Sequence, residues 1–357
     1  MNRIHALRRV LEHKRLDGFV VTNLTHIRYL TNFSGSNALL LVLPNALHLF
    51  TDGRYAEQIK TELYPLAGLR THITRTTWMY VQEQMLVAGT HRLGFDASAM
   101  SYAAVRTMRK HCRPTRFVPC RQILEPLMMV KTPEEVSHIK AAADIAAEVY
   151  NVVLEIVKPG ISEHDLAAEL SYQARKRGSE GDAFDIIVAS GVRGALPHGR
   201  ASKKILQRGE LVTIDFGCRV QGFHSDMTRT FALGKPNDFD ASIYALVLEA
   251  NTRAIDQARA GLTCKSLDAV ARDIISAAGY GEAFEHSLGH GLGLDVHEPP
   301  TVSWRFPRVR LPEGAVITIE PGVYVPNRCG VRIEDDVWLR ADGCEVLTHS
   351  PKELIIV

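Results

Sequence analysis

The chain has 357 residues, and its 42 basic against 40 acidic side chains leave a formal charge of +2, which gives no reason to expect a polyanionic partner such as nucleic acid. An apolar fraction of 46% and a charged fraction of 23% are those of an ordinary globular protein of about two domains, not of a disordered chain. No apolar run approaches the ~20 residues of a membrane helix, no apolar block follows the early basic residues, and the six cysteines show no CxxC pairing; a reduced, cytoplasmic setting is expected, without a membrane partner.

In chain order, Ile4, Leu7, Val10 and Leu11 recur at helical spacing, and Gly18–Thr22 reads as a short buried strand. Ala38–Leu43 and Leu47–Thr51 read as strands around a Pro44-Asn45 turn, and 92–95 and 116–118 as two more, with helices near 54–62, 78–88 and 101–110. This α/β pattern contains no GxGxxG and no P-loop. A boundary is expected near Pro126–Val130, dividing a 1–125 domain from a 126–357 domain. Thr132 as N-cap, Pro133 at the first helical position and Glu135 at the third then open a long helix that runs to about Val157, where Pro159-Gly160 ends it.

The second domain repeats itself. Gly160-Ile161-Ser162 resembles Gly261-Leu262-Thr263, and Gly181–Phe184 resembles Gly281–Phe284. Gly209–Asp215 matches Gly314–Glu320 almost residue by residue, and Gly222 with Asp226 matches Gly330 with Glu334. Two copies roughly 100 residues apart are too few and too long for a solenoid, so they read as halves of one α+β domain related by a pseudo-twofold.

In each half an apolar strand runs straight into a carboxylate, Asp215 after Leu211–Ile214 and Glu320 after Val316–Ile319, with Asp226 and Glu334 in matched second positions. A buried acid is costly unless paired or bound to a cation, and four gathered at a pseudo-twofold cannot all ionise alone. Two divalent cations are expected between them. His290, framed by Gly289 and Gly291, is the candidate fifth ligand, and an oxygen-rich set with one imidazole suits Mn²⁺, Co²⁺, Fe²⁺ or Zn²⁺.

Asp215, Asp226, His290, Glu320 and Glu334, in this order and context, resemble the ligand set of the pita-bread metallopeptidases. His198 in Leu196–Gly199, Ser225–Thr230, His290–Glu298, Glu320–Gly322 with Tyr324, and Gly330–Asp335 are similar to the proline-specific branch, aminopeptidase P and prolidase. Ile27–Gly35 and Thr51–Tyr55 look like that branch's creatinase-type amino-terminal domain. The resemblance implies a pita-bread catalytic domain with Asp215 on one metal, His290 and Glu320 on the other, and Asp226 and Glu334 bridging both, Mn being the first choice of metal. It implies substrate-holding roles for His198 and His297, proton transfer by Glu320, and orienting roles for Arg332, Tyr324 and Thr228. The activity implied is an Xaa-Pro aminopeptidase acting on short peptides with proline second, and the alternative is an Xaa-Pro dipeptidase. A positive group capping the far end of the pocket separates the two, with Arg305, Arg308 and Arg310 as candidates against an exposed-loop reading. A metal-free creatinase-like hydrolase or binding module is disfavoured by the intact ligand set, and a methionine aminopeptidase by the extra amino-terminal domain. That domain is assigned to assembly, as a homodimer, and to walling the site. Trp78, Trp304 and Cys218 are expected to pack in cores.

Overall fold

A computed structural model describes residues 3–357. The chain divides into two compact units, Met1–Met128 and Met129–Val357. In the first, helix α1 (Arg3–His13) buries Ile4, Leu7 and Leu11, the stripe its periodicity requires. Strand β1 (Gly18–Val21) leads to α2 (Leu24–Thr31), whose N-cap Asn23 accepts from the Thr25 and His26 amides. Strands β2 (Ala38–Val42) and β3 (Leu47–Thr51) pair antiparallel across the expected turn, and β4 (Leu69–Ile73) joins β3 in parallel. Strands β5 (Arg92–Asp96) and β6 (Arg116–Cys120) complete a sheet of order β4-β3-β2-β1-β5-β6. Val20, Leu41, Phe50, Leu93, Phe95 and Phe117 pack with Val81, Val105 and Met108, the last three from the helices Thr77–Glu83 and Tyr102–His111.

Two details depart from the sequence reading. The segment near 54–62 is a short 3₁₀ turn, Gly53–Tyr55, followed by one helical turn, Ile59–Glu62, and the helix expected to 88 ends at Glu83. Strand β4 went unread because it lies at the sheet edge with no buried residue to set an apolar pattern.

The second unit opens on the helix Pro133–Ile156, capped as the sequence requires: Thr132 Oγ1 accepts from Glu135 N at 3.2 Å and Glu135 Oε2 accepts from Thr132 N at 2.7 Å. A second capping box, Ser162 with Asp165, starts the helix Glu163–Lys176. Strands β7 (Ile187–Ser190), β8 (Glu210–Phe216), a hairpin of β9 (Arg219–Val220) and β10 (Phe223–His224), and β11 (Met227–Leu233) follow; β8 lies between β7 and β11.

The second half repeats the plan. Helices Asp238–Gln257 and Cys264–Ala277 form the pair, and Thr263 caps the latter as Ser162 does its counterpart, which explains the Gly-Ile-Ser and Gly-Leu-Thr echo. Strands β12 (Gly289–Gly291), β13 (Glu298–Val302) and β14 (Val316–Ile319) precede a hairpin of β15 (Gly322–Val325) and β16 (Cys329–Arg332), and then β17 (Asp335–Leu339) and β18 (Cys344–Val346). The sheet order is β13-β12-β14-β17-β18. The Gly222–Gly330 match is one of spacing only: Gly222 turns the first hairpin at φ +77°, whereas Gly330 lies within β16.

Each helix pair builds a core against the sheet of its half, and the second core also takes in Leu211 of β8 and Ala232 of β11. The halves are stitched where the site lies. Glu334 N donates to Thr228 O at 3.1 Å, and Thr230 Oγ1 donates to Arg332 O at 3.0 Å. The fully buried Arg229 guanidinium donates to Thr228 O, Glu334 O, Asp335 Oδ1 and the Ser350 and Pro351 carbonyls, while Ala232 pairs with Ile356. None of the six cysteines is in a disulfide, and Cys218 fills the first-half core. Among the described residues no helix is long and apolar enough to cross a membrane.

Candidate metal centre

Strand geometry brings the carboxylates together. Asp215 is the last but one residue of β8, opposite Thr228 at the start of β11, and Asp226 directly precedes β11. Glu320 directly follows β14 and Glu334 directly precedes β17, whose Asp335 lies opposite Ile319. Asp226 and Glu334 thus hold matched places, each one residue before the strand it leads into.

His290 is the middle residue of β12, held between β13 and β14. Its flanking glycines are required by backbone contact: a Cβ on Gly289 would lie 2.0 Å from Thr318 O, and one on Gly291 2.3 Å from Pro299 O. Thr318 Oγ1 accepts from His290 N at 3.1 Å and donates to Glu320 Oε1 at 3.1 Å, joining two of the candidate ligands.

All five candidate ligands line one cavity of about 460 Å³, together with His198, His297 and Arg332. Every lining residue lies between Phe184 and Glu334. Single ligand atoms of Asp226, His290 and Glu334 lie within 4.8 Å of one another. His290 Nε2 is 3.3 Å from Glu320 Oε1 and 3.7 Å from Asp226 Oδ2. The ring's Nδ1 lies 3.1 Å from Gly291 O, so it must carry the proton that bonds this carbonyl, and Nε2 presents a lone pair to those carboxyl oxygens. Lone pair facing lone pair is repulsive unless a cation or a proton sits between them.

The electrostatics agree. Burial, then neighbouring carboxylates, push Asp226 and Glu334 well above the usual carboxylate range, and burial raises Glu320 to about 8. Burial, with His297 nearby, lowers His290 to about 4 and keeps it neutral, as a metal ligand must be. Asp215 Oδ1 is buried with no hydrogen-bond partner. An oxygen-rich set of acids that cannot ionise alone, a neutral imidazole and an orphaned oxygen fit divalent cations.

Arg332 organises the rim. It donates from Nε to Thr228 Oγ1 (2.9 Å), from NH1 to Pro197 O (3.1 Å) and Tyr324 Oη (2.8 Å), and from NH2 to Asp215 Oδ2 (2.6 Å). Burial works against its charge, but Tyr324, Asp215 and Glu334 carry the net shift upward, so the guanidinium stays charged. Thr228 Oγ1 in turn donates to Glu334 Oε2 at 2.7 Å.

Two contributors escaped the sequence reading. His286 lines the cavity, its Nδ1 bonded to Ser287 O and its Nε2 accepting from Tyr324 Oη at 2.9 Å. Burial and Arg332 lower it to about 3. Asp336 Oδ2 accepts from Asp226 N at 3.0 Å. Neither has a sequence signal; each looks like one more polar residue beside a ligand.

Arg305, Arg308 and Arg310 are exposed and line no part of the cavity; Arg310 donates instead to Gly261 O. The proline-punctuated segment holding them carries them outward on a loop. Trp304 packs on Arg272, and Trp78 belongs to the core of the first unit.

The model of metallopeptidase family M24 matches residues 137–341, more than half of the chain, and that of the creatinase/prolidase N-terminal domain matches residues 3–130. The chain belongs to metallopeptidase family M24. Its two units are accordingly the α/β creatinase-type domain and the pita-bread domain, and it is a metallopeptidase. This M24 chain is 36% identical to the Xaa-Pro dipeptidase of Pyrococcus furiosus, covering 99% of both. Among solved structures it is similar to an Xaa-Pro dipeptidase from Bacillus anthracis (40% identity, TM-score 0.95, 99% of each chain). It is also similar to an X-Pro aminopeptidase from Thermotoga maritima (36% identity, TM-score 0.92, 100% of each chain).

Proposed function

We propose that this M24 peptidase hydrolyses Xaa-Pro dipeptides, using two divalent cations, with manganese the first choice. The observation that carries the reading is the single cavity of about 460 Å³, which places all five candidate ligands beside an apolar wall of Phe184, Ile187 and Pro197. A volume at the small end of ligand pockets suits a dipeptide. The prolyl nitrogen of such a peptide has no N–H to donate, so an apolar wall against that residue leaves no amide donor unpaired. Relatives named Xaa-Pro dipeptidases support the shorter substrate over the aminopeptidase activity expected from the sequence.

Asp215, Asp226, His290, Glu320 and Glu334 would hold the cations, which when bound supply Lewis acidity and an acidified water. The residues of the chain do the rest. Glu320, a carboxylate of the ligand cluster oriented by the Thr318 hydroxyl, relays a proton toward the leaving proline nitrogen. His297, its ring centroid 4.3 Å from that of His290, and His198 hold the substrate and the charge that develops on its carbonyl oxygen. Arg332 fixes Asp215 and, through Thr228, Glu334; Tyr324 accepts from Arg332 and donates to His286, so both rings keep one orientation. We assign the amino-terminal unit to homodimer assembly and the protein to the cytoplasm.

The T. maritima likeness favours a second reading, Xaa-Pro aminopeptidase. Metal-loaded protein assayed on an Xaa-Pro dipeptide beside an Xaa-Pro-Yaa tripeptide decides between them. Hydrolysis of the dipeptide with little of the tripeptide is expected. Comparable kcat/KM on both overturns the dipeptidase reading in favour of the aminopeptidase, and turnover of neither overturns both.

A further inference from the structure

We propose that Arg200 is the residue that receives the free carboxylate of the dipeptide, and so sets the length of substrate the enzyme accepts; this rests on the dipeptidase reading above. A dipeptide bound with its scissile carbonyl at the ligand cluster must leave its proline carboxylate elsewhere in the same cavity. Among the described residues lining that cavity two are cationic, Arg332 and Arg200. Arg332 is buried and spends its donors on Asp215, Thr228, Tyr324 and the Pro197 carbonyl. The remaining charged lining groups are carboxylates, Asp185 and the four candidate ligands, which repel a substrate carboxylate.

Arg200 has a fixed base and a releasable tip. Its backbone pairs with Ile187, next to β7, and its carbonyl accepts from Arg193 NH2 at 2.7 Å. Arg193 is itself anchored, donating from Nε to the fully buried Glu163 at 3.0 Å. Among the described residues the Arg200 side chain has one polar partner, Asp185 Oδ2 at 3.0 Å, and the two side chains are 79% and 77% exposed. An ion pair in water holds its partners weakly, so an incoming carboxylate displaces Asp185 at little cost and gains a fork that donates to both of its oxygens. Arg200 also stands two residues from His198, so one segment would hold both the carboxylate end and the reacting end of the substrate. The positive cap sought among Arg305, Arg308 and Arg310 is thus supplied from the other half of the domain.

The test uses manganese-loaded wild type, Arg200→Met, Arg200→Lys and Asp185→Asn with an Xaa-Pro dipeptide and the same dipeptide as its C-terminal amide. Arg200→Met is expected to raise KM for the free acid about tenfold, the scale of one charged hydrogen bond, and at least fivefold more than for the amide. Arg200→Lys is expected to recover part of the loss, and Asp185→Asn to leave the free-acid KM unchanged or lower. An equal effect on acid and amide, or no effect on the acid, overturns the assignment. Should wild type turn over neither compound, the dipeptidase reading fails, and calorimetric binding of L-proline against L-prolinamide still judges Arg200. A preference for proline that disappears in Arg200→Met supports the assignment, and any other pattern refutes it.

Discussion

Lys131 and Glu298 offer a sharp test of what holds the 292–297 loop, which carries His297, in place. Their side chains are 3% and 5% exposed and meet at 2.7 Å, three residues past the division between the two units. Glu298 Oε1 accepts from Asp295 N, and Gly293 lies so close that a Cβ on it would sit 2.6–2.8 Å from both carboxylate oxygens and Lys131 Cε. The Gly293 carbonyl accepts from His224 N at 2.8 Å, two residues before Asp226, while Glu298 directly follows His297. One buried pair therefore ties the segment that enters the helix Pro133–Ile156, the 292–297 loop and the approach to Asp226 together. Lys131→Met leaves Glu298 as an uncompensated buried charge, which costs about 3–5 kcal/mol. At about 2–4 °C per kcal/mol for a unit of this size, a 3 kcal/mol loss lowers Tm by about 6–12 °C in scanning calorimetry. Lys131→Met with Glu298→Leu removes both charges and is expected to recover most of that loss. A single variant as stable as wild type, or a double variant no better than the single, would refute the argument that the charge imbalance is the cause.

Two further outcomes follow from charge. His48 is buried beside His72, its Nδ1 2.9 Å from His72 Nε2, and burial, then His72, lowers its pKa to about 4. The folded state therefore keeps it neutral while an unfolded chain takes up a proton below about pH 6.5, so its stabilisation, full at higher pH, falls between pH 6.5 and 4 by about 2–3 kcal/mol. His48→Phe is expected to flatten denaturant midpoints over that window; an unchanged acid slope contradicts the assignment. Because burial works against the ionised forms of Asp226, Glu320 and Glu334, manganese binding at pH 7 is expected to release protons and to weaken as pH falls. Calorimetry in buffers of different ionisation heat measures that release, and a value near zero would count against these carboxyls as ligands.

Asp215 and Glu320 were readable because each ends an apolar strand where a buried acid is costly without a cation, and Asp226 and Glu334 because they recur at matched positions in the two halves. Glycine and capping residues at Gly160-Ser162 and Gly261-Thr263 carried the duplication for a local reason, since each pair ends one helix and starts the next. His286, Asp336 and Arg200 were not readable. Their roles depend on distances across β-strands and between halves, and a polar residue has no period that announces what it will face. The same holds for Lys131 and Glu298, 167 positions apart in the chain, whose pairing exists only after folding. Arg305, Arg308 and Arg310 misled for the converse reason: nearness in sequence to His297 said nothing of which way the loop would point.

Arg229 joins β11 to carbonyls at Ser350 and Pro351, well past Glu334. Through Arg229, which also donates to the Thr228 and Glu334 carbonyls, that later segment braces both strands that carry candidate ligands. Loss of that brace is expected to leave the acids loosely tethered and so to weaken their hold on a cation.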